Sequence, residues 1–214
     1  MNPLRFEGVI FDLDGTLVQS EHLHRQSWVG PLAELGIEVE DDEYLRDFAG
    51  KPGMHIIRDQ IGLDGDAAHS LYNRVTDAYW DLAADTVAPT DGLLEFLDRI
   101  SPLAKAVCTS AQRASARRML DLIGLTNRFD AIVTASDVNH GKPHPEPFHL
   151  AAKRLGLDGK QCLAIEDSAN GLRSARAAGM RCVGIGDGRA VYGELADVWI
   201  KDFADPGLMR ELLS

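Results

Sequence analysis

The sequence predicts an α/β fold: a parallel sheet with helices on both faces and a helical domain inserted after the first strand. Short apolar runs recur along most of the chain and alternate with segments of helical spacing, a rhythm typical of such sheets. Between about residues 19 and 86 the rhythm stops, and helical patterns occur with almost no strand signal. We therefore expect a Rossmann-like core domain of residues 1–17 and 88–214 and a small α-helical domain of residues 18–87.

The predicted strands of the core are short and apolar on both faces. They lie at residues 6–11, 104–108, 131–133, 162–165, 182–185 and 197–200. Between them, apolar residues recur at positions i, i+3, i+4 and i+7, which predicts helices. These residues are Leu93, Phe96, Leu97 and Ile100 in one helix and Ala116, Met119, Leu120 and Ile123 in another.

The inserted segment contains several helical patterns. One apolar face is formed by Leu71, Val75, Ala78, Tyr79 and Leu82, and residues 20–28 and 53–61 also favour helix. The dipeptides Gly30-Pro31 and Pro52-Gly53 are expected to interrupt these helices, because proline lacks the amide hydrogen and clashes with the preceding turn.

Composition excludes several functional classes. The 214 residues include 33 acidic and 22 basic side chains, a formal charge of −11, which is opposite to the balance of a nucleic-acid-binding protein. No apolar run approaches the roughly 20 residues that cross a bilayer, and no signal-peptide pattern opens the sequence. Cys108, Cys162 and Cys182 lie in or beside apolar runs without CxxC spacing. We expect a cytoplasmic monomer that binds neither nucleic acid nor membrane.

Polar residues gather where the predicted strands end. The set comprises Asp12 and Asp14 after the first strand, Thr109 and Ser110 after the second, Glu166 and Asp167 after the fourth, and Lys142 in the loop HGKPHPEPF. Each residue type alone is common in turns and helix caps. Ligands, however, bind at the carboxyl ends of strands in an open parallel sheet, so we expect these side chains to form one site.

The chemistry of this set points to a metal and a phosphoryl group. Four carboxylates so close together raise one another's pKa and destabilise the fold unless a cation lies among them. Hard oxygen ligands with an open position suit Mg²⁺, which shares its remaining sites with water and phosphate. Lys142 supplies a positive charge and Thr109 a hydroxyl donor for phosphoryl oxygens, while one carboxylate attacks phosphorus and its neighbour handles protons.

Four motifs occur in order and each in a strand-end context: DLDGT, a strand-end TS, GKPHPEPF and EDSANG. They resemble the four motifs of the haloacid-dehalogenase-like phosphotransferases. The helical insert resembles the α-helical cap of the branch that contains beta-phosphoglucomutases and sugar-phosphate phosphatases. The resemblance covers nearly the whole chain. It implies a Mg²⁺-dependent phosphatase that hydrolyses a small phosphorylated metabolite, such as a sugar or polyol phosphate, through an aspartyl phosphate.

The resemblance also implies roles for individual residues. Asp12 would be the nucleophile, and Asp14 the acid that protonates the leaving oxygen and later activates water. The phosphoryl oxygens would be bound by Thr109, Ser110 and Lys142, and Mg²⁺ would be held by Asp12, the backbone carbonyl of Asp14, Glu166 and Asp167. Substrate choice would fall to the cap and to the loop after the second motif, where His24, Gln112 and Arg113 are the candidates.

Four alternatives are weighed beside the phosphatase, and one of them, an inactive relative retained for protein contacts, is disfavoured because all four motif positions are filled. Mutases of the same branch place an arginine and a lysine in the cap, and these places fall on Gly53 and Val75 here, although Lys51 and Arg74 are adjacent. A response-regulator receiver also combines acids, threonine and lysine, but is shorter and holds a lone acceptor aspartate on an interior strand. The glycine pattern VGIGDG at 183–188 is a weak signal for a nucleotide-binding module.

Overall fold

A computed structural model describes residues 5–48, 51 and 53–213, apart from the side chains of Glu21 and Leu45. Residues 1–4 and Pro52, which were discussed above, lie outside the described residues. The chain divides into two compact units. One consists of residues 1–19 and 88–214 and is called the α/β unit; the other consists of residues 20–87 and is called the helical unit.

Six strands among the described residues form one parallel sheet in the α/β unit. They are β1 (Gly8–Phe11), β2 (Ala104–Cys108), β3 (Ala131–Val133), β4 (Cys162–Glu166), β5 (Arg181–Ile185) and β6 (Val198–Ile200), in the spatial order β3-β2-β1-β4-β5-β6. β1 lies between β2 and β4, with Phe11 opposite Val107 and Ile165. The strands fall within two residues of the predicted runs, and the predicted fold class is confirmed.

The helical unit is built from helices around an apolar centre. They are α1 (Glu21–Ala33), α2 (Asp41–Asp47), α3 (Gly53–Ile56), which continues as a π-helical turn over Ile57–Ile61, and α4 (Gly65–Thr86). The buried centre is formed by Trp28, Leu32, Tyr44, Phe48, Ile56, Ile57, Ala68, Leu71 and Val75. These residues recur at helical spacing, so burial of one face of each helix stabilises the unit.

Two details of the helical unit differ from the sequence-based expectation. The predicted interruption at Gly30-Pro31 is wrong, since α1 continues to Ala33 with Pro31 inside it. Pro31 lies in the last turn and removes one hydrogen bond, while Leu32 beside it is 2% exposed and packs into the centre. Helix α2 was not predicted; its three acidic first-turn residues suit the positive end of the helix dipole.

The remaining helices lie in the α/β unit. They are α5 (Leu93–Arg99), α6 (Arg113–Leu122), α7 (Glu146–Arg154), α8 (Ala169–Ala177), α9 (Arg189–Tyr192) and α10 (Pro206–Leu213). Helices α5 and α6 bury the residues that the periodicity selects, Leu93, Phe96, Leu97, Ala116, Met119 and Leu120. The chain thus alternates strand and helix after the helical unit, as expected for parallel strands.

The segment that leaves the α/β unit is bonded to the segment that returns to it. Val18 forms bridges with Asp14 and with Pro89. Thr90 donates its backbone N–H to the Leu17 carbonyl (2.9 Å) and its hydroxyl to the Thr16 carbonyl (2.7 Å). These bonds fix the loop that follows β1 and therefore the position of Asp14.

The three cysteines are buried free thiols. Burial raises the pKa of Cys108 and of Cys182 to about 12, so both stay protonated and unreactive near neutral pH. Within the described part of the chain, no helix combines the length and the apolar character needed to cross a membrane.

Candidate active site

Asp12 directly follows β1, so it lies at the carboxyl edge of the sheet between the ends of β2 and β4. Asp12 is 7% exposed, and its backbone N–H continues the ladder by donating to the Ile165 carbonyl of β4 (3.0 Å). Because β2 and β4 flank β1 in parallel, their ends place Thr109 and Glu166 on either side of Asp12. Three of the predicted strand-end positions therefore lie along one edge.

Lys142 joins these strand ends through its ammonium group. Its Nζ donates to Asp12 Oδ1 (2.5 Å), to Glu166 Oε1 (2.6 Å) and to the Cys108 carbonyl (2.8 Å). The side chain is 4% exposed, and Nζ lies 5.1 Å from the centre of the Phe148 ring. All three hydrogens of the ammonium are thus directed to acceptors at the ends of β1, β2 and β4.

The loop that carries Lys142 is closed by Glu146, the first residue of α7. Its carboxylate accepts the backbone N–H groups of Asn139 (2.9 Å) and His140 (3.0 Å), and the hydroxyl of Ser174 donates to the His144 carbonyl (2.6 Å). Sequence reasoning did not single out Glu146. The available signal was an acidic residue between two prolines, a pattern typical of a helix start, where a carboxylate can bond free N–H groups.

The motif EDSANG spans the end of β4 and the start of α8, and hydrogen bonds of Glu166 connect the two. Glu166 is fully buried, and its Oε2 accepts the backbone N–H (2.8 Å) and the hydroxyl (2.9 Å) of Ser168. Ser168 in turn caps α8 by accepting the N–H of Gly171 (3.0 Å). A Cβ atom on Gly171 would overlap the Glu166 carboxylate. Both oxygens of Glu166 are therefore bonded, one to Lys142 and one to the helix cap.

Asp167 meets the loop after β1 at Gly15. Gly15 has a φ of 81°, and a Cβ atom there would overlap the Asp167 carboxylate. Asp167 Oδ1 lies 3.5 Å from the Thr16 hydroxyl, and its carbonyl accepts the hydroxyl of Tyr192 (2.7 Å). Sequence reasoning missed Tyr192, because no local pattern links it to a residue so distant along the chain.

Burial dominates the electrostatics of the site. It raises the pKa of Asp12 above the usual range; Lys142 opposes the shift, while Glu166 and Asp167 add to it. Burial and the charge of Glu166 raise the pKa of Asp167 to about 7, and Asp14 contributes. Burial alone would lower the pKa of Lys142, but the carboxylates of Asp12 and Glu166 outweigh it and raise that pKa. The ammonium of Lys142 is thus a single positive charge beside several carboxylates, those of Asp12, Glu166 and Asp167.

The donor set fits a hard divalent cation. The acids supply only oxygen ligands, the type that Mg²⁺ prefers, and their negative charge exceeds what Lys142 balances. The glycine at position 15 leaves room for the Asp167 carboxylate beside the loop that carries Asp14. Burial, and after it the charge of neighbouring carboxylates, raises the pKa of Asp12 and Asp167, and a cation bound there would oppose both effects.

Thr109 and Ser110 follow β2 but differ in their surroundings. Thr109 is 4% exposed, its N–H donates to the Val133 carbonyl (2.9 Å), and its hydroxyl oxygen accepts the N–H of Ala111 (3.0 Å). Ser110 is exposed. A hydroxyl that accepts one bond still has its own hydrogen to donate, so Thr109 is the better ordered donor.

The candidate specificity residues lie in different surroundings. In the α/β unit, Gln112 accepts the Ser136 hydroxyl (2.7 Å), and Arg113 donates to Asp137 (2.8 Å). In the helical unit, His24 is exposed on α1 and stacks on Tyr79 of α4 at 4.5 Å between ring centres.

Comparison with known proteins identifies the family of the chain and agrees with its fold. Residues 9–185 match the family model for haloacid dehalogenase-like hydrolases. The chain is 33% identical to validoxylamine A 7'-phosphate phosphatase of Streptomyces hygroscopicus subsp. limoneus over 208 residues, 94% of this chain and 95% of that protein. It is 34% identical to fructose-1-phosphate phosphatase YqaB of Escherichia coli (strain K12) over 190 residues, 85% of this chain and 97% of that protein.

The structural match is equally extensive. The crystal structure of CbbY from Rhodobacter sphaeroides in complex with phosphate superposes with a TM-score of 0.78 at 25% identity, covering 94% of this chain and 96% of CbbY. The chain therefore belongs to the haloacid dehalogenase-like hydrolases, which confirms the family and the kind of enzyme that its four motifs predict.

Proposed function

We propose that the protein is a Mg²⁺-dependent phosphatase that hydrolyses a small phosphorylated metabolite through a phosphorylated Asp12. The observation that carries this proposal is the buried ammonium of Lys142, 2.5 Å from Asp12 and 2.6 Å from Glu166. A fixed cation beside a carboxylate orients that carboxylate for attack and stabilises charge on the transferred oxygens.

In this proposal Mg²⁺ is held by Asp12, the backbone carbonyl of Asp14, and Asp167, with Glu166 as a further donor. When bound, the ion neutralises negative charge on the phosphoryl group. Glu166 already bonds Lys142 and Ser168 through its two oxygens. We therefore assign Glu166 first the role of positioning Lys142, and second that of a metal ligand.

The chain supplies the groups for two consecutive displacements at phosphorus. In the first, a carboxylate oxygen of Asp12 forms a bond to phosphorus as the ester oxygen leaves, and Asp14 donates a proton to that oxygen. In the second, Asp14 removes a proton from water, whose oxygen attacks phosphorus and releases Asp12. Lys142 would exchange one of its three present hydrogen bonds for a phosphoryl oxygen, and the hydroxyl of Thr109, with Ser110 beside it, would bind another. Two acids two residues apart can divide attack and proton transfer between them.

The substrate we propose is a sugar or polyol phosphate. The two relatives described above are named as phosphatases, one of validoxylamine A 7'-phosphate and the other of fructose-1-phosphate. We propose that His24 in the helical unit and the segment containing Gln112 and Arg113 contribute to substrate choice.

The helical unit supports hydrolysis over a mutase reaction. Val75, at one position where mutases carry a basic residue, is 7% exposed and packs in the apolar centre. The neighbouring cations lie beside acids of their own unit: Arg74 pairs with Glu34, and Lys51 is 4.0 Å from Asp47. Cations bound in this way are less available for a second phosphate.

We further propose that the enzyme works as a cytoplasmic monomer. Three buried, free thiols suit a reducing compartment. Light scattering after size-exclusion chromatography should give a mass near 23.4 kDa, and twice that mass would show a dimer.

The function is tested by phosphate release across a panel of phosphorylated metabolites with Mg²⁺. Wild type is compared with Asp12→Asn as the blank and with Asp77→Asn, which changes an exposed acid of the helical unit, as the matched control. We expect release from one or a few sugar or polyol phosphates in wild type and Asp77→Asn only. Release that survives in Asp12→Asn would contradict the proposal, and a bisphosphate-dependent isomerisation would show a mutase.

A further inference from the structure

A second group of metal-binding side chains lies in the loop that carries Lys142. His140, His144 and Glu146 each offer one ligand atom, and the three atoms lie within 4.8 Å of one another. We propose that these three side chains form a surface site for a transition metal ion of the Zn²⁺, Co²⁺ or Ni²⁺ type. This site is separate from the acid cluster at the sheet edge and does not depend on the proposed phosphatase function.

The distances in the group are close to those of a metal site. His140 Nδ1 is 3.0 Å and His144 Nδ1 is 4.0 Å from Glu146 Oε2, and the two imidazole rings are 4.7 Å apart between centres. Nitrogen and oxygen ligands about 2.1 Å from a tetrahedral Zn²⁺ are about 3.4 Å from one another. An ion bound at this place would replace the bond between His140 Nδ1 and Glu146 Oε2 (3.0 Å) and the bond that His144 Nδ1 accepts from the Glu146 N–H (3.2 Å).

The backbone around the three ligands is already fixed. The N–H groups of Asn139 and His140 bond the Glu146 carboxylate, and Ser174 holds the His144 carbonyl. A carboxylate held in place loses less conformational entropy when it binds an ion.

The ligand types select the metal. Two imidazole nitrogens and one carboxylate suit borderline metals such as Zn²⁺, whereas Mg²⁺ prefers oxygen ligands. The side chains of His140 and His144 are 67% and 50% exposed, so an ion can enter from solvent and keep water in a fourth position. Lys142, between them in sequence, is 4% exposed and faces the acids. The same loop therefore presents an ammonium inwards and two imidazoles outwards.

The site is tested by the visible absorption of Co²⁺ titrated into the full-length protein in excess Mg²⁺, which is added to compete for the oxygen ligands of the acid cluster. We expect one Co²⁺ with a spectrum of nitrogen and oxygen coordination, displaced by Zn²⁺. His140→Ala and His144→Ala should each weaken binding by at least about tenfold, since even indirect partners of metal ligands contribute that much. His149→Ala, an exposed histidine on α7, is the matched control and should bind as wild type does.

Two further results test whether the ion binds at His140, His144 and Glu146. Asp12→Asn should keep the Co²⁺ spectrum, because Asp12 belongs to the other cluster; its loss would overturn the proposal by locating the ion at the acids. Wild-type protein without a Co²⁺ spectrum, or the same affinity in wild type, His140→Ala and His144→Ala, would also overturn it. Circular dichroism of each variant shows that the fold is retained, so that lost binding reports the ligands.

Discussion

The α/β unit and the helical unit bury different kinds of side chain. The helical unit buries an apolar centre that includes Trp28 and Leu71, and its ion pairs, such as Arg74 with Glu34, lie on the surface. The α/β unit also has an apolar core, but it places Asp12, Glu166 and the ammonium of Lys142 at the ends of its central strands.

This difference separates two sources of stability. Apolar burial stabilises both units, whereas buried charges cost free energy unless each is paired and hydrogen-bonded. The buried charges at the strand ends support the proposal that the reaction takes place in the α/β unit and that the helical unit contributes to substrate choice. The following changes test that proposal in order of expected effect.

The largest effect on stability is expected from Lys142→Met. Removal of the ammonium leaves two buried carboxylates without their cation, which costs about 3–5 kcal/mol of unfolding free energy. The matched change in the helical unit, Arg74→Met, removes a surface pair and should cost about 1 kcal/mol or less. Urea unfolding of both variants measures the difference; equal losses would contradict the contrast between the units.

Asp14→Asn should slow both displacements by about 10²-fold or more, because each requires proton transfer. Asp77→Asn on α4 should leave both rates unchanged, since Asp77 is exposed in the helical unit. Rapid-quench measurement of phosphorylation and dephosphorylation separates the two steps. A near-normal rate in Asp14→Asn would rule out its role as the acid and base.

A comparison of Gly15→Ala with Gly62→Ala distinguishes the effect of backbone strain from the effect of losing the proposed metal site. Both glycines have left-handed φ values, 81° and 75°, so each alanine should cost about 1–2 kcal/mol. Only at Gly15 would the new methyl overlap the Asp167 carboxylate, because the space around Gly62 is open. We expect Gly15→Ala alone to raise the Mg²⁺ concentration needed for half-maximal activity, by about tenfold or more. A similar Mg²⁺ requirement in both variants would argue against Asp167 as a ligand.

The smallest effect is expected from Arg113→Gln. Arg113 lies on the surface and shares Asp137 with Arg154, so the loss in stability should be about 1 kcal/mol or less. Because Arg113 is proposed to contribute to substrate choice, KM for the preferred substrate should rise modestly while kcat stays unchanged, which steady-state kinetics measures. An unchanged KM would argue against a role of Arg113 in substrate choice.

The sequence predicted the sheet and the gathering of Asp12, Thr109 and Glu166 at its edge, because both follow from local pattern. Apolar runs mark buried parallel strands, and polar residues at their ends must share one edge. The continuation of α1 through Pro31 and the π-helical turn at Ile57–Ile61 were not predictable, since packing in the helical unit outweighs the local preference. Contacts between distant segments, such as Tyr192 with Asp167 and Ser174 with His144, leave no periodic signal.

The central claim is that Asp12 carries the phosphoryl group during turnover, and a single-turnover quench with labelled substrate tests it most directly. With Mg²⁺, wild-type protein should acquire label on the peptide containing Asp12 and lose it at a rate consistent with turnover. Asp12→Asn should acquire none and should release phosphate about 10³-fold more slowly or worse. Full turnover by wild type without labelled protein, or turnover by Asp12→Asn, would contradict the account.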